Sequence, residues 1–162
     1  MSEYFDVYDK NRNSLGYTKE RGSELLDNEF NMGAECFIIC NNKILMTQRC
    51  SNKSHAGEWE APGGCSQAGE SSIDTLVREL KEEINYIVDP NKTKLIGTKI
   101  YKKMFVDIYQ IVTDINLDDI KIQEEEVSDF KLVSKEEFDQ LNIVASELDR
   151  FNYIKDKLDL NW

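Results

Sequence analysis

The sequence predicts an α+β fold, with strands and helices in the order of an α/β/α sandwich rather than a repeating βαβ array. Three observations predict it. Apolar, partly alternating segments of strand length stand on both sides of one strongly amphipathic helical stretch. Short helical patterns close the chain. The 162 residues contain no repeat, low-complexity tract or Pro- or Ser-rich linker, so residues 1–162 read as a single domain with one sizeable core.

The elements follow in order. Tyr4 to Asp9 and a segment after Gly16 read as an N-terminal β-hairpin whose turn is built by Asn11, Asn13 and Gly16. Ala34 to Cys40 and Ile44 to Arg49 form a second hairpin across Asn41-Asn42, because Asn tolerates the positive φ of a two-residue turn. Ser51 to Gln67 is polar and glycine-containing and reads as an extended loop. A helix then spans Ser72 to Ile84, with Ser71 and Asp74 as its start signal. Leu95 to Tyr101 and Met104 to Thr113 are strands around Lys102-Lys103, and Asp129 to Val133 is another. Ser134 and Glu137 form a capping box for a short helix to about Leu141. Ser146 caps a last helix carrying Leu148, Phe151, Ile154 and Leu158.

Composition narrows the function. The apolar fraction is 40% and the charged fraction 31%, and no apolar run approaches the ~20 residues of a spanning helix. The start, MSEYFDVYDK, has neither the basic nor the apolar region of a secretory signal, so a cytoplasmic protein is expected. A net charge of −11 disfavours nucleic acid and anionic membranes as partners and suits a divalent cation. Of the four cysteines, Cys36 and Cys40 share a strand, where four residues span ~13 Å, too far for two thiolates to share one zinc. Reduced thiols are expected.

The central helix carries the chemistry. Ile73, Leu76, Val77, Leu80 and Ile84 form one apolar stripe at 3.6-residue periodicity. Glu79, Glu82 and Glu83 gather beside that stripe, with Arg78 and Lys81 on the other flank. Like charges at this spacing repel by roughly 0.2 to 0.5 kcal/mol per pair, so a reason for gathering them is required. A solvated acidic face is the ordinary reading of a Glu-rich stretch. The residues upstream point elsewhere: Gly64, five residues, Glu70, seven residues, then Arg78-Glu79-Leu80-Lys81-Glu82-Glu83. With each type at about 1 in 15, six matches at set spacings arise by chance on the order of 10⁻⁷ per starting position.

This stretch, Gly64 to Tyr86, resembles the Nudix box. Asn85 stands where that pattern has Gly, and Tyr86 where it prefers an aliphatic residue; Asn still permits the left-handed helix stop. The flanking WEAPGG, Trp59 to Gly64, resembles the family more weakly. The resemblance implies an α/β/α sandwich with a mixed sheet. It also implies Mg²⁺, or Mn²⁺, held by Glu82, Glu83 and the Gly64 carbonyl, with Glu79 either a further ligand or the base that activates water. Arg78 would orient the carboxylates together with Glu70, which is structural in the box. The implied reaction is metal-dependent hydrolysis of a diphosphate linkage in a nucleoside diphosphate joined to another moiety, by water attack on phosphorus.

Residues outside the box complete the reading. Glu126, last of Glu124-Glu125-Glu126, is the candidate for the additional acid that family members take from a later loop. Arg49 is a candidate phosphate contact, His55 a bystander, and Trp59 a core residue. The partner is a small-molecule diphosphate, and the N-terminal hairpin offers a surface for a homodimer. Two alternatives stand beside this. The first is an isopentenyl-diphosphate isomerase-like enzyme, whose metal site is rich in histidine whereas His55 is alone here and Cys65 is out of register with the isomerase cysteine. The second is a non-catalytic nucleotide-binding module, which would be expected to lose an acid of the box.

Overall fold

In the computed structural model, which describes residues 1–162, the chain opens with an antiparallel hairpin of β1 (Tyr4–Tyr8) and β2 (Ser14–Glu20). Its turn is organised by Asp9, whose carboxylate accepts from the backbone N–H of Asn11 at 2.8 Å and Asn13 at 2.9 Å, while Arg12 takes φ 64°. Gly16 lies inside β2 rather than in the turn. Asp6 pairs with Thr18 but Tyr8 with Ser14, so β2 carries extra residues there, and Gly16 at φ 78° absorbs the resulting bulge. Buried Phe5 and Val7 and a Tyr8–Phe30 bridge fasten the hairpin to the body.

The main sheet follows from apolar pattern and turns. β3 (Asn31–Cys40) and β4 (Lys43–Arg49) are joined by Asn41 and Asn42 at φ 50° and 60°, the mirror-image turn that suits twisted strands. Next come β5 (Trp59–Glu60), β6 (Gly63–Cys65), α1 (Ser72–Ile84), β7 (Thr93–Tyr101), β8 (Met104–Val112), β9 (Val127–Val133), α2 (Lys135–Gln140) and α3 (Ala145–Ile154). The strand order is β5-β4-β3-β8-β7, with β6 on β3 and β9 on β4. Because β3 and β8 are parallel and the other pairs antiparallel, the sheet is mixed.

Both faces of this sheet are covered, as the near-continuous burial of β3 requires. Cys36 and Ile38 pack with Leu76, Leu80 and Ile84 of α1 on one side. Phe37 and Ile39 pack with Phe138, Phe151 and Ile154 on the other. Between the layers the sheet splits. Ile39 and Cys40 pair with β4, whereas Gly33–Glu35 pair with β6, and β4 diverges to join β5 and β9.

Some local expectations give way to tertiary structure. The stretch 51–67 is not wholly loop, since β5 and β6 form within it by pairing with β4 and β3. Val77 is exposed rather than core-facing, and Glu83 and Thr75 are buried instead: α1 is rolled toward its acidic flank. Ser146 is not the cap of α3. Val144, whose N–H donates to the Trp59 carbonyl, begins that helix, and the pairing of Ile143 with Trp59 sets the start. Leu148 is exposed, and Leu158 is buried beyond the helix end. All four cysteines are free. No helix is long and apolar enough to cross a membrane.

Candidate active site

The start of α1 is held by a reciprocal capping box: the Asp74 N–H donates to Ser71 Oγ, and Asp74 accepts from the Ser71 N–H at 2.9 Å. Its end is set by Asn85 in the left-handed conformation at φ 56°, so the residue that departs from the box pattern still stops the helix. Thirteen residues are thereby fixed in rotation, and the acids face a cavity of ≈ 410 Å³ at the split in the sheet.

Glycines bring the backbone up to those acids. A Cβ at Gly63 would overlap the Ala34 carbonyl and the Glu35 α-carbon of β3. At Gly64 it would overlap the carboxylate of Glu79. Glu83, 6% exposed, accepts from the Gly63 N–H at 3.1 Å. Burial, then the nearby charges of Glu79 and Glu60, push its pKa up to about 8. Burial likewise holds Glu79 above the ordinary carboxylate range despite the Arg78 charge beside it.

Arg78 organises this end of the cavity. On the helical wheel it stands on the flank away from the core, but its guanidinium folds across the acids. It donates to both oxygens of Glu70 at 2.6 and 3.0 Å, to Glu79 at 2.7 Å, to Glu82 at 3.4 Å and to the Cys65 carbonyl at 3.0 Å. Glu70 also accepts from the Gln67 N–H and Thr75 Oγ1. Burial raises the Glu70 carboxyl, and these hydrogen bonds outweigh it and hold it below its ordinary value.

Gly64, Arg78, Glu79, Glu82, Glu83, Glu126 and Arg49 all line this one cavity. The loop that carries Glu126 is tied to the end of α1, because the Gln123 N–H donates to the Glu83 carbonyl at 2.9 Å. Glu126 is paired with Lys53, and Arg49 with Glu60 at 2.7 Å. Trp59 is buried in the core beneath Lys131. His55 is largely exposed beside Glu58 and lies outside the cavity lining. The expected ligand set is not closed into a cage: no three His, Cys, Asp or Glu side chains converge on one point. The carboxylates are drawn apart by Arg78, which takes Glu79 and Glu82, and by the Gly63 N–H, which takes Glu83.

Sequence reasoning missed a second group on the same cavity, Glu35, Glu60, Glu147 and Arg150. The signal for Glu35 was present: a lone acid within the apolar run of β3. Glu147 and Arg150 gave none, since an acid and a base three apart on a helix ordinarily form a surface pair. In all, eight glutamates and only five arginines or lysines line the cavity, a balance that favours a cation.

Residues 30–152 match the model of the NUDIX domain. The chain belongs to the Nudix family. With membership goes the enzyme class, a Nudix-type pyrophosphohydrolase. A Nudix hydrolase of Listeria monocytogenes, itself uncharacterized, is 29% identical over 130 residues, 78% of this chain and 77% of that protein. The fold is shared with a crystal structure from Deinococcus radiodurans, at TM-score 0.78 and 15% identity over 94% of this chain and 99% of that one. It is also shared with a bifunctional NMN adenylyltransferase/ADP ribose pyrophosphatase of Francisella tularensis, solved with AMP and a Mn ion. There the TM-score is 0.68 at 18% identity, over 79% of this chain and 42% of that one.

Proposed function

We propose that this Nudix cavity hydrolyses a diphosphate linkage in a nucleoside diphosphate joined to a second moiety, with Mg²⁺ or Mn²⁺ as cofactor. One observation carries the reading: Glu83 is a buried carboxylate and Glu79 a partly buried one, both facing a cavity with an excess of acids, and Glu83 has no cationic side chain of its own. Their chemistry fits a hard divalent ion. The open arrangement suits one that keeps several waters and needs only one or two carboxylates. Glu83, Glu82 and the Gly64 carbonyl would hold it, with Glu79 as a further ligand or as base. Once bound, the ion would supply positive charge to the phosphoryl oxygens and lower the pKa of water.

The chain's own residues do the rest. Arg78, anchored by Glu70, fixes the Glu79 carboxylate against Gly64. Glu79 or Glu126 accepts the proton of the attacking water. Arg49 and Lys53, both on the cavity and paired there with Glu60 and Glu126, would supply positive charge to a substrate phosphate. The deciding experiment is magnesium-dependent product release from a panel of nucleotide sugars, including ADP-ribose, dinucleoside polyphosphates and nucleoside diphosphates, with isopentenyl diphosphate as control. Turnover of a panel member that is lost in Glu83→Gln supports the reading. Isomerisation of the control without phosphate release would replace it, and binding without turnover would leave a regulatory module.

A further inference from the structure

The wall of the cavity away from Arg78 holds an arrangement that the hydrolytic reading does not use. Glu35 of β3 and Glu147 of α3 are 4% and 1% exposed, and Arg150 stands between them. Arg150 donates to Glu35 at 2.8 Å and to Glu147 Oε2 at 3.1 Å. One base thus serves two buried acids. The remaining Glu147 oxygen, Oε1, is buried and has no hydrogen-bond partner. Its charged neighbours Glu35 and Glu60 are themselves acceptors, so neither satisfies it without an added proton. Such a network costs stability relative to apolar residues of the same volume. An orphan buried acceptor is correspondingly a place where a ligand's polar hydrogen is strongly favoured.

We propose that Glu147, positioned by Arg150 and Glu35, accepts an N–H or O–H hydrogen from the group attached to the diphosphate and so selects the substrate. This rests on the cavity being the diphosphate site. The geometry supports it: Glu147 and Arg150 line the same cavity as Glu79 and Glu83, from the opposite layer of the sandwich. Burial, and then the nearby charge of Glu35, raises the Glu147 pKa well above its ordinary value, in keeping with a carboxylate that lacks a donor for one of its oxygens. The donor has two possible sources, a nucleobase amine or a ribose hydroxyl.

Calorimetric titration of wild type, Glu147→Leu and Glu147→Gln with CMP, UMP, AMP, GMP, their 2′-deoxy forms and ribose 5-phosphate tests this without requiring turnover. Wild type should prefer one donor-bearing compound. Glu147→Leu should weaken that compound by about tenfold or more and flatten the ranking, while Glu147→Gln, which keeps an acceptor oxygen and the shape, should retain the ranking with a smaller loss. A preference for CMP over UMP assigns the amine, and a preference for ribose over deoxyribose assigns the hydroxyl. Folded variants that rank the compounds as wild type does, or that lose every compound equally, overturn the proposal, as does a wild type that binds none. Should Glu147→Leu not fold, the same outcomes are read from Glu147→Gln. If Glu147-dependent ranking is found but no diphosphate is hydrolysed, the recognition site stands and the hydrolytic reading fails.

Discussion

The carboxylate of Glu79 lies against the α-carbon of Gly64, so closely that a methyl group at position 64 would occupy its place. Two residues of the box, fifteen positions apart, therefore share one space. Gly64→Ala should displace Glu79 with little effect on folding, since Gly64 does not take a positive φ. Displacements of about 1 Å in such sites cost on the order of 10²-fold, so kcat should fall by about that factor with the melting temperature nearly unchanged. A variant of normal kcat would separate Glu79 from the chemistry.

Glu83 gives a prediction that separates function from stability. Its carboxylate is buried with only the Gly63 N–H as partner, so Glu83→Gln should leave the metal-free protein at least as stable as wild type. On the proposed metal role, Mg²⁺ should raise the melting temperature of wild type, and the same change should abolish most of that shift and reduce kcat by about 100-fold or more. Equal magnesium shifts in the two proteins would remove Glu83 from the ligand set.

Arg78 forms a two-pronged contact with Glu70 and a third arm to Glu79, a geometry that a lysine ammonium cannot reproduce. Arg78→Lys should lower kcat by about 10- to 100-fold with a smaller change in KM, because charge is kept and orientation lost. Steady-state kinetics on the best panel substrate reads the split.

The N-terminal hairpin is pinned by Arg12, which donates to buried Asp107 at 2.7 Å. Burial raises the Asp107 carboxyl, but hydrogen bonds from Arg12, Ser72 and Thr98 together hold it below its ordinary value of 3.8. A depressed acid stabilises the fold above its unfolded pKa, and that stabilisation is lost as pH falls through the folded value. Arg12→Ala should therefore cost about 2 kcal/mol near pH 7 and clearly less near pH 3, as read from urea unfolding at the two pH values. A cost independent of pH would show that Arg12 acts through packing alone, including its stack on Phe105.

Asn85 holds the left-handed cap at φ 56°, where its side chain accepts from Lys81 at 2.6 Å. Asn85→Ala should destabilise by about 1 kcal/mol, and Asn85→Gly should be neutral or slightly stabilising. Denaturant midpoints decide; an Ala variant as stable as the Gly variant would mean the cap does not govern the helix end.

The box was legible because its information is local. Ser71, Asp74 and Asn85 set the bounds of α1 through contacts within one turn, and the periodicity of 3.6 places Glu79, Glu82 and Glu83 on one side. The β3–β4 hairpin was legible for the same reason, its two-residue turn being written in Asn41-Asn42. Ser146 misled because the start of α3 is set by Ile143 and Val144 pairing with distant Trp59 rather than by a local cap. Val77 misled because α1 is rolled so that Thr75 and Glu83 are buried in its place, and a wheel does not contain the packing that sets that roll.

By itself, the sequence determined the acidic helix and its caps, through interactions a few residues apart, and the spacing of the box that marks the family. Only the tertiary structure decided that Arg78 would draw three acids to itself, and that Glu35 would meet Arg150 across 115 positions and leave one oxygen of Glu147 bare in the same cavity. The physical reason is burial. Whether a charge is solvated or desolvated depends on which layers close over it, and that is a property of long-range packing rather than of any local pattern.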